Sequence, residues 1–286
     1  MKNPPAILGK IAESTLKRVE KSKEILSLEQ IREQIQILNN DKPRSLKEVK
    51  KIFEPTSPSC PAVKQNSFYN ALSSPGLSFI CEVKKASPSK GIIAHDFPWL
   101  EIAKEYEEGG AAAVSVLTEP EFFWGSDQYL KEISGAVKIP TLRKDFIIDI
   151  YQLYEAKLWG AKAALLICAL LEPQTIRLFL AEAEKLELDC LVEIHGEQEA
   201  KEALDAGSRI IGINNRDLTT FKVDTGLTSR LRKIIPEGII TVAESGINSA
   251  FDIRELKKTG VDAVLIGESL MRSTDRINFL KELISA

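Results

Sequence analysis

From Ser78 onward, apolar runs of strand length alternate with amphipathic helical segments, and the runs number eight. They are Phe79 to Val83, Ala112 to Leu117, Ile139 to Leu142, Ala163 to Ile167, Asp189 to Ile194, Arg209 to Ile213, Ile239 to Ala243 and Ala263 to Ile266. Strands covered by helices on one side and packed on each other on the other read as continuous apolar runs. Eight strand-helix units are the number that closes a parallel sheet on itself. A weak repeat supports the count: Gly110, Gly160, Gly207 and Gly260 each follow a helical pattern and precede the next run by two or three residues. That is the position of a left-handed helix cap. An open doubly wound sheet also alternates, but its dinucleotide-binding form carries G-x-G-x-x-G after the first strand. Here Glu82-Val83-Lys84-Lys85-Ala86-Ser87 stands in that place. The expected fold class is α/β, a single (β/α)8 TIM barrel over residues 78–286 with an N-terminal helical extension.

Residues 1–55 read as that extension. Leu8, Ile11, Leu16 and Val19 fall near one face of a first helix, and Leu28, Ile31, Ile35 and Leu38 repeat the spacing. Ser27 with Gln30 and Ser45 with Glu48 form capping-box pairs, which predict helix starts at Leu28 and Leu46. Residues 56–77 are rich in Pro and Ser and are expected to form a linker, with one short helix near Phe68 to Leu72.

With 44% hydrophobic and 28% charged residues, the chain has enough apolar material for a full core, which excludes disorder. Its 38 Lys and Arg nearly balance 41 Asp and Glu, so no overall field favours nucleic acid or an anionic membrane. An anionic ligand must therefore be held locally. The longest apolar stretch, Ala163 to Leu171, falls well short of the roughly 18 residues of a membrane span. The N-terminal pattern is dense in charge, and a cytoplasmic location is expected. Cys81, Cys168 and Cys190 lie in apolar runs, Cys60 lies in the Pro/Ser stretch, and no CxxC pair occurs, so reduced thiols are expected. With only His95 and His195, and no HExxH spacing, no metal site is expected.

Barrel enzymes work at the C-terminal mouth, which directs attention to the ends of the strand runs. Glu82 and Lys84 end the first, Lys144 follows the third, Glu193 ends the fifth, Asn214 and Arg216 follow the sixth, and Glu244 follows the seventh. Carboxylates this close to apolar strand cores are costly unless a lysine pairs them. Paired burial also drives pKa values apart, giving one site both a proton donor and an acceptor. Small residues after the last two strands, Ser245-Gly246 and Gly267-Glu268, open the final helices in this reading, where backbone N–H groups suit a phosphate. Ser87-Pro88-Ser89 faces the same mouth, and Phe123, Phe146 and Leu218 are candidates for an apolar wall.

In order, Glu82-Val-Lys84-Lys-Ala-Ser87-Pro88-Ser89, Leu-Arg-Lys144-Asp-Phe146, Leu-Val-Glu193-Ile-His, Ile-Asn214-Asn-Arg216-Asp-Leu218, Val-Ala-Glu244-Ser245-Gly246 and Ile-Gly267-Glu268-Ser closely resemble the motifs of indole-3-glycerol-phosphate synthases. The resemblance covers the whole barrel. It implies a cofactor-free lyase of tryptophan biosynthesis, which closes the ring of 1-(2-carboxyphenylamino)-1-deoxyribulose 5-phosphate with loss of carbon dioxide and water. By resemblance Lys144 is the general acid, with Lys84, Glu82, Glu193, Asn214 and Glu244 beside it in the catalytic group. Arg216, Phe123, Phe146, Pro88 and Leu218 then bind the substrate, and Ser87, Ser245, Gly246, Gly267 and the Glu268 backbone hold its phosphate. Association with other tryptophan-pathway enzymes is a further implication. Glu268 departs from the small residue frequent at its position, and its carboxylate is expected to point away from the phosphate. Which carboxylate serves as base stays open, as do a phosphate-binding isomerase, a Schiff-base aldolase and an inactive scaffold on the same barrel.

Overall fold

The structure, a computed structural model, describes residues 2, 4–40 and 67–286. The expected helix start at Leu46, the end of the 1–55 extension, most of the 56–77 linker and Cys60 lie outside the described residues. Eight strands form a closed, all-parallel barrel: β1 Ser78–Val83, β2 Ala113–Leu117, β3 Thr141–Lys144, β4 Ala163–Ile167, β5 Asp189–Ile194, β6 Ile210–Asn214, β7 Ile240–Glu244 and β8 Ala263–Ile266. Each pairs with its sequence neighbours, and β1 closes the ring between β8 and β2. Nearly every strand residue is buried, as expected of a sheet packed on both faces. A two-residue hairpin, Ala86–Ser87 with Gly91–Ile92, follows β1.

The strand ends differ from the apolar runs in one informative way. β3, β6 and β7 extend beyond Leu142, Ile213 and Ala243 to take in Lys144, Asn214 and Glu244. Ladder hydrogen bonds require backbone rather than apolar side chains, and the register continues through these residues, pairing Leu117 with Lys144 and Asn214 with Glu244. β3 also starts two residues later than Ile139, because Pro140 has no N–H to give the ladder.

Helices α1 Ala6–Ile25, α2 Leu28–Asn40 and α3 Phe68–Leu72 precede the barrel. Ser27 and Gln30 form the expected capping box at the start of α2, with reciprocal bonds of 2.8 and 3.2 Å. The outer ring comprises α4 Trp99–Gly109, α5 Asp127–Ala136, α6 Tyr151–Leu158, α7 Pro173–Lys185, α8 Glu197–Ala206, α9 Gly226–Arg232, α10 Ala250–Thr259, α11 Glu268–Arg272 and α12 Arg276–Ser285. Gly110, Gly160, Gly207 and Gly260 all carry positive φ at helix ends, as the repeat requires.

The buried face of α1 is Leu8, Ile11, Ala12, Thr15 and Val19, whereas Leu16 is exposed. The 3.6-residue period carries the face from Ile11 through Thr15, and Leu16 lies one step round the helix. On α2, Ile31 and Ile35 are buried and Leu38 is exposed. The extension is tied to the barrel by ion pairs of Lys2 with Glu202, Arg18 with Asp145 and Lys23 with Asp149. Tyr151 adds a bond from its hydroxyl to the Leu26 carbonyl. Among the described residues no helix is long and apolar enough to cross a membrane.

Candidate active site

A cavity of about 640 Å³ opens where the barrel strands end, and all sixteen residues singled out in the sequence line it. Lys144, the last residue of β3, points inward with Nζ 3.4 Å from Glu193 Oε2 and 3.4 Å from Glu244 Oε2. Lys84, just past β1, has Nζ 2.5 Å from Glu82 Oε1. Two glycines make room for these carboxylates. A Cβ on Gly212 would collide with Glu244 Oε1, and one on Gly267 would stand 2.7 Å from Glu82 Oε1.

Burial pushes each of these carboxyls upward, and position within the cluster decides which stays ionised. At Glu82 burial is outweighed by Lys84 and Lys144, which hold the carboxyl below its usual value. Glu193 is also held low against burial, by Lys144 and His195. Glu244 goes the other way, pushed up to about 7 because burial and the charges of Glu193 and Glu82 outweigh Lys144. Its Oε1 is buried and has no hydrogen-bond partner among the described residues. Burial opposes the charge on Lys144, yet Glu244, Glu193 and Glu82 together raise its pKa, so it is an ammonium. One pocket thus contains a charged lysine, an ionised carboxylate and a carboxyl that titrates near neutrality.

The rim adds directed polar groups. Ser245 Oγ donates to Asn214 Oδ1 at 2.9 Å, and the same oxygen accepts the Arg216 N–H at 3.0 Å. Ser245 and Gly246 both adopt positive φ, 67° and 83°, a costly conformation for serine that persists at sites with a use for it. They do not open a helix as the sequence suggested. α10 starts at Ala250, where Ser249 and Asp252 form the capping box, so the turn at 245–246 lines the cavity from a loop. Gly267 does cap a helix, α11. The Glu268 carboxylate is engaged by Arg272 at 3.2 Å and Lys90 at 3.4 Å. Phe123 and Phe146 form a tilted ring pair with centroids 5.8 Å apart, and Pro88 and Leu218 line the same cavity.

A family model described as indole-3-glycerol phosphate synthase matches residues 36–283. The chain belongs to that family. A relative of that name from Ruminiclostridium cellulolyticum is 51% identical over 269 residues, covering 94% of this chain and 95% of the relative. Another, from Lachnoclostridium phytofermentans, is 45% identical over 281 residues, covering 98% and 99%. Among solved structures, thiamine phosphate pyrophosphorylase from Pyrococcus furiosus matches with a TM-score of 0.56 at 20% identity, covering 76% of this chain and 96% of that one. A 3-hexulose-6-phosphate synthase gives 0.56 at 14%, with 73% and 99% covered. These two share the fold alone.

Sequence reasoning missed part of the wall. Ile7, Leu8 and Ile11 of α1 line the cavity, so the extension is a side of the site. Phe221, Val223 and Thr225 also reach it. The signal for α1 was present in its apolar face, but periodicity does not name the surface a face will cover.

Proposed function

We propose that Lys144, Lys84 and Glu193 divide the proton transfers of indole-3-glycerol phosphate formation in this barrel. The family reaction closes the ring of 1-(2-carboxyphenylamino)-1-deoxyribulose 5-phosphate, releasing carbon dioxide and water in tryptophan biosynthesis. The observation that carries the assignment is the Lys144 ammonium, held between Glu193 and Glu244 on the floor of a cavity walled by phenylalanines and aliphatic side chains.

Ring closure requires the aromatic carbon that bears the carboxylate to attack the substrate ketone. The ketone oxygen becomes an alkoxide, and Lys144 protonates it. Loss of carbon dioxide returns the electron pair of the breaking bond to the ring and restores aromaticity. The hydroxyl left behind must then depart as water. Lys84 supplies its proton, and Glu193, kept ionised by two cationic neighbours, accepts the proton released as the indole double bond forms. Glu82 is engaged with Lys84 and orients it. Asn214, Arg216 and Glu244 face the substrate hydroxyls and the anthranilate carboxylate, and Phe123, Phe146, Pro88 and Leu218 flank the aromatic ring. The 5-phosphate is held by Ser87, the Ser245-Gly246 turn, Gly267 and the Glu268 N–H. With the Glu268 carboxylate drawn to Lys90 and Arg272, its charge is offset beside that anion.

A lysine kept charged is suited to donate a proton and unsuited to form an imine, which needs the neutral amine. The test is therefore double. Purified protein given the carboxyphenylamino substrate should yield fluorescent indole product, and borohydride added during turnover should trap no lysine adduct. A trapped adduct at Lys144 or Lys84, or the absence of indole product, overturns the assignment.

A further inference from the structure

We propose that His195, held as an imidazolium by Glu199, is a positioning residue that fixes the orientation and charge of Glu193 opposite Lys144. The inference rests on the reading of Lys144 and Glu193 as reacting groups. His195 follows β5, and its side chain is only 16% exposed. Nε2 lies 3.3 Å from Glu193 Oε1, at ion-pair distance but not aligned for a hydrogen bond, while the other Glu193 oxygen faces Lys144. Nδ1 lies 3.3 Å from Glu199 Oε2, and the same Glu199 oxygen accepts the His195 backbone N–H at 2.7 Å. Glu199 sits in the first turn of α8, so a strand-to-helix turn builds the arrangement.

The geometry specifies the protonation state. Ionised carboxylates only accept hydrogen bonds, and a neutral imidazole carries one N–H and one lone pair. With Nδ1–H given to Glu199, a neutral ring would leave its Nε2 lone pair 3.3 Å from an anionic Glu193 oxygen, whereas the imidazolium sets positive charge beside both carboxylates. Electrostatics agrees: burial opposes the charge, but Glu193 and Glu199 raise the ring to about 10. Glu193 thereby has a cation beside each oxygen, the imidazolium at Oε1 and Lys144 at Oε2. Ionisable groups near the pair, among the described residues, include Glu82, Lys84 and Glu244 in the cavity, Asp217 in the loop after β6, the Lys2–Glu202 ion pair, and Cys168, whose burial keeps it a neutral thiol. Glu82 and Glu244 lie close enough to push the Glu193 carboxyl up, and the imidazolium counters them.

The chain has two histidines, and His95 is exposed, so nitrogen NMR of histidine-labelled protein needs only His95→Gln for assignment. At pH 8 both ring nitrogens of His195 should be protonated. A single neutral tautomer at that pH would overturn the proposal without any change at the site. Kinetics supplies the second readout. His195→Gln should lower kcat about tenfold, leave KM within about twofold, and move the acid limb of kcat/KM up by about one pH unit. Glu199→Gln removes the counter-ion and lowers the imidazole pKa, so it should match the parent at pH 6 and His195→Gln at pH 9. Lower thermal stability with an unchanged pH profile would show a merely structural role and overturn the proposal. Parent-like turnover in Glu193→Gln would instead overturn the site reading beneath it, whatever the state of the imidazole.

Discussion

Arg143 and Lys144 are neighbours on β3, and each belongs to a buried cluster of charges, yet the two clusters are built differently. Strand alternation sends Lys144 into the barrel and Arg143 outward toward α6 and α1. Arg143 donates to Asp145 and Glu155 at 3.0 Å each and to the Gln152 carbonyl at 2.6 Å, and stacks 4.3 Å from the Trp159 ring centroid. Asp145 accepts from Thr118, Arg18, Arg143 and the Phe146 N–H, and against its burial Arg18 and Arg143 hold its carboxyl far below the usual range. Facing the cavity, Lys144 reaches its carboxylates only at 3.4 Å, and Glu244 keeps one unpartnered oxygen and a pKa of about 7. A saturated buried cluster resists proton movement and fixes geometry. An unsaturated one costs stability and retains the capacity to exchange protons.

The largest effect should follow from removing the cavity cation. Lys144→Ala should lower kcat by roughly 10²- to 10⁴-fold, the usual contribution of a general acid, with thermal denaturation little changed. Arg143→Met should do the reverse. Leaving Asp145 and Glu155 without their guanidinium should cost about 3–5 kcal/mol in urea unfolding, while kcat per folded molecule stays within a few-fold of the parent. If a folded Arg143→Met protein lost turnover as Lys144→Ala does, the division between a structural and a working cluster would be broken.

Glu244 gives the next effect, and its sign follows from the raised carboxyl. The folded group holds its proton up to about 7, the unfolded one only to about 4.3. Its contribution to stability is therefore full below the unfolded value and lost as pH rises through 7. Gln at this position stays neutral at every pH. Glu244→Gln should gain on the parent by up to about 3 kcal/mol between pH 4 and pH 8 in urea titrations, and should lose turnover. A stability difference that does not vary with pH would show that Glu244 is already satisfied in the fold.

The inward cluster was legible because its residues stand at regular places, at the ends of the first, third, fifth and seventh strand runs, and because lysines and glutamates there need one another. Its saturated twin was not read, although Arg143 and Asp145 flank Lys144 at the alternation that throws them to the opposite face. Their partners Glu155, Thr118 and Arg18 are dispersed through the sequence, and no local spacing joins them. The same limit hid Glu199. It lies four residues from His195, but only the turn from β5 into α8 shows that its carboxylate meets the imidazole. The strand boundaries erred where polar residues continued a ladder that apolar counting ended. The 245–246 turn was misplaced onto a helix because serine and glycine also mark helix starts.

The smallest effect belongs to Arg18, which joins the saturated cluster to α1. Its two bonds to Asp145, at 3.0 and 2.8 Å, anchor the helix whose Ile7, Leu8 and Ile11 form one wall of the cavity. Arg18→Met leaves Asp145 its bonds from Arg143 and Thr118, so the cost should be only about 1–2 kcal/mol. A loosened α1 weakens an apolar wall that meets substrate and transition state alike. Such uniform binding appears in KM and leaves kcat unchanged. A two- to fivefold rise in KM for the carboxyphenylamino substrate, with kcat and its pH profile intact, would place α1 on the binding side of the site. A fall in kcat instead would mean that the anchor transmits strain through Asp145 to Lys144, and the two clusters would then act as one.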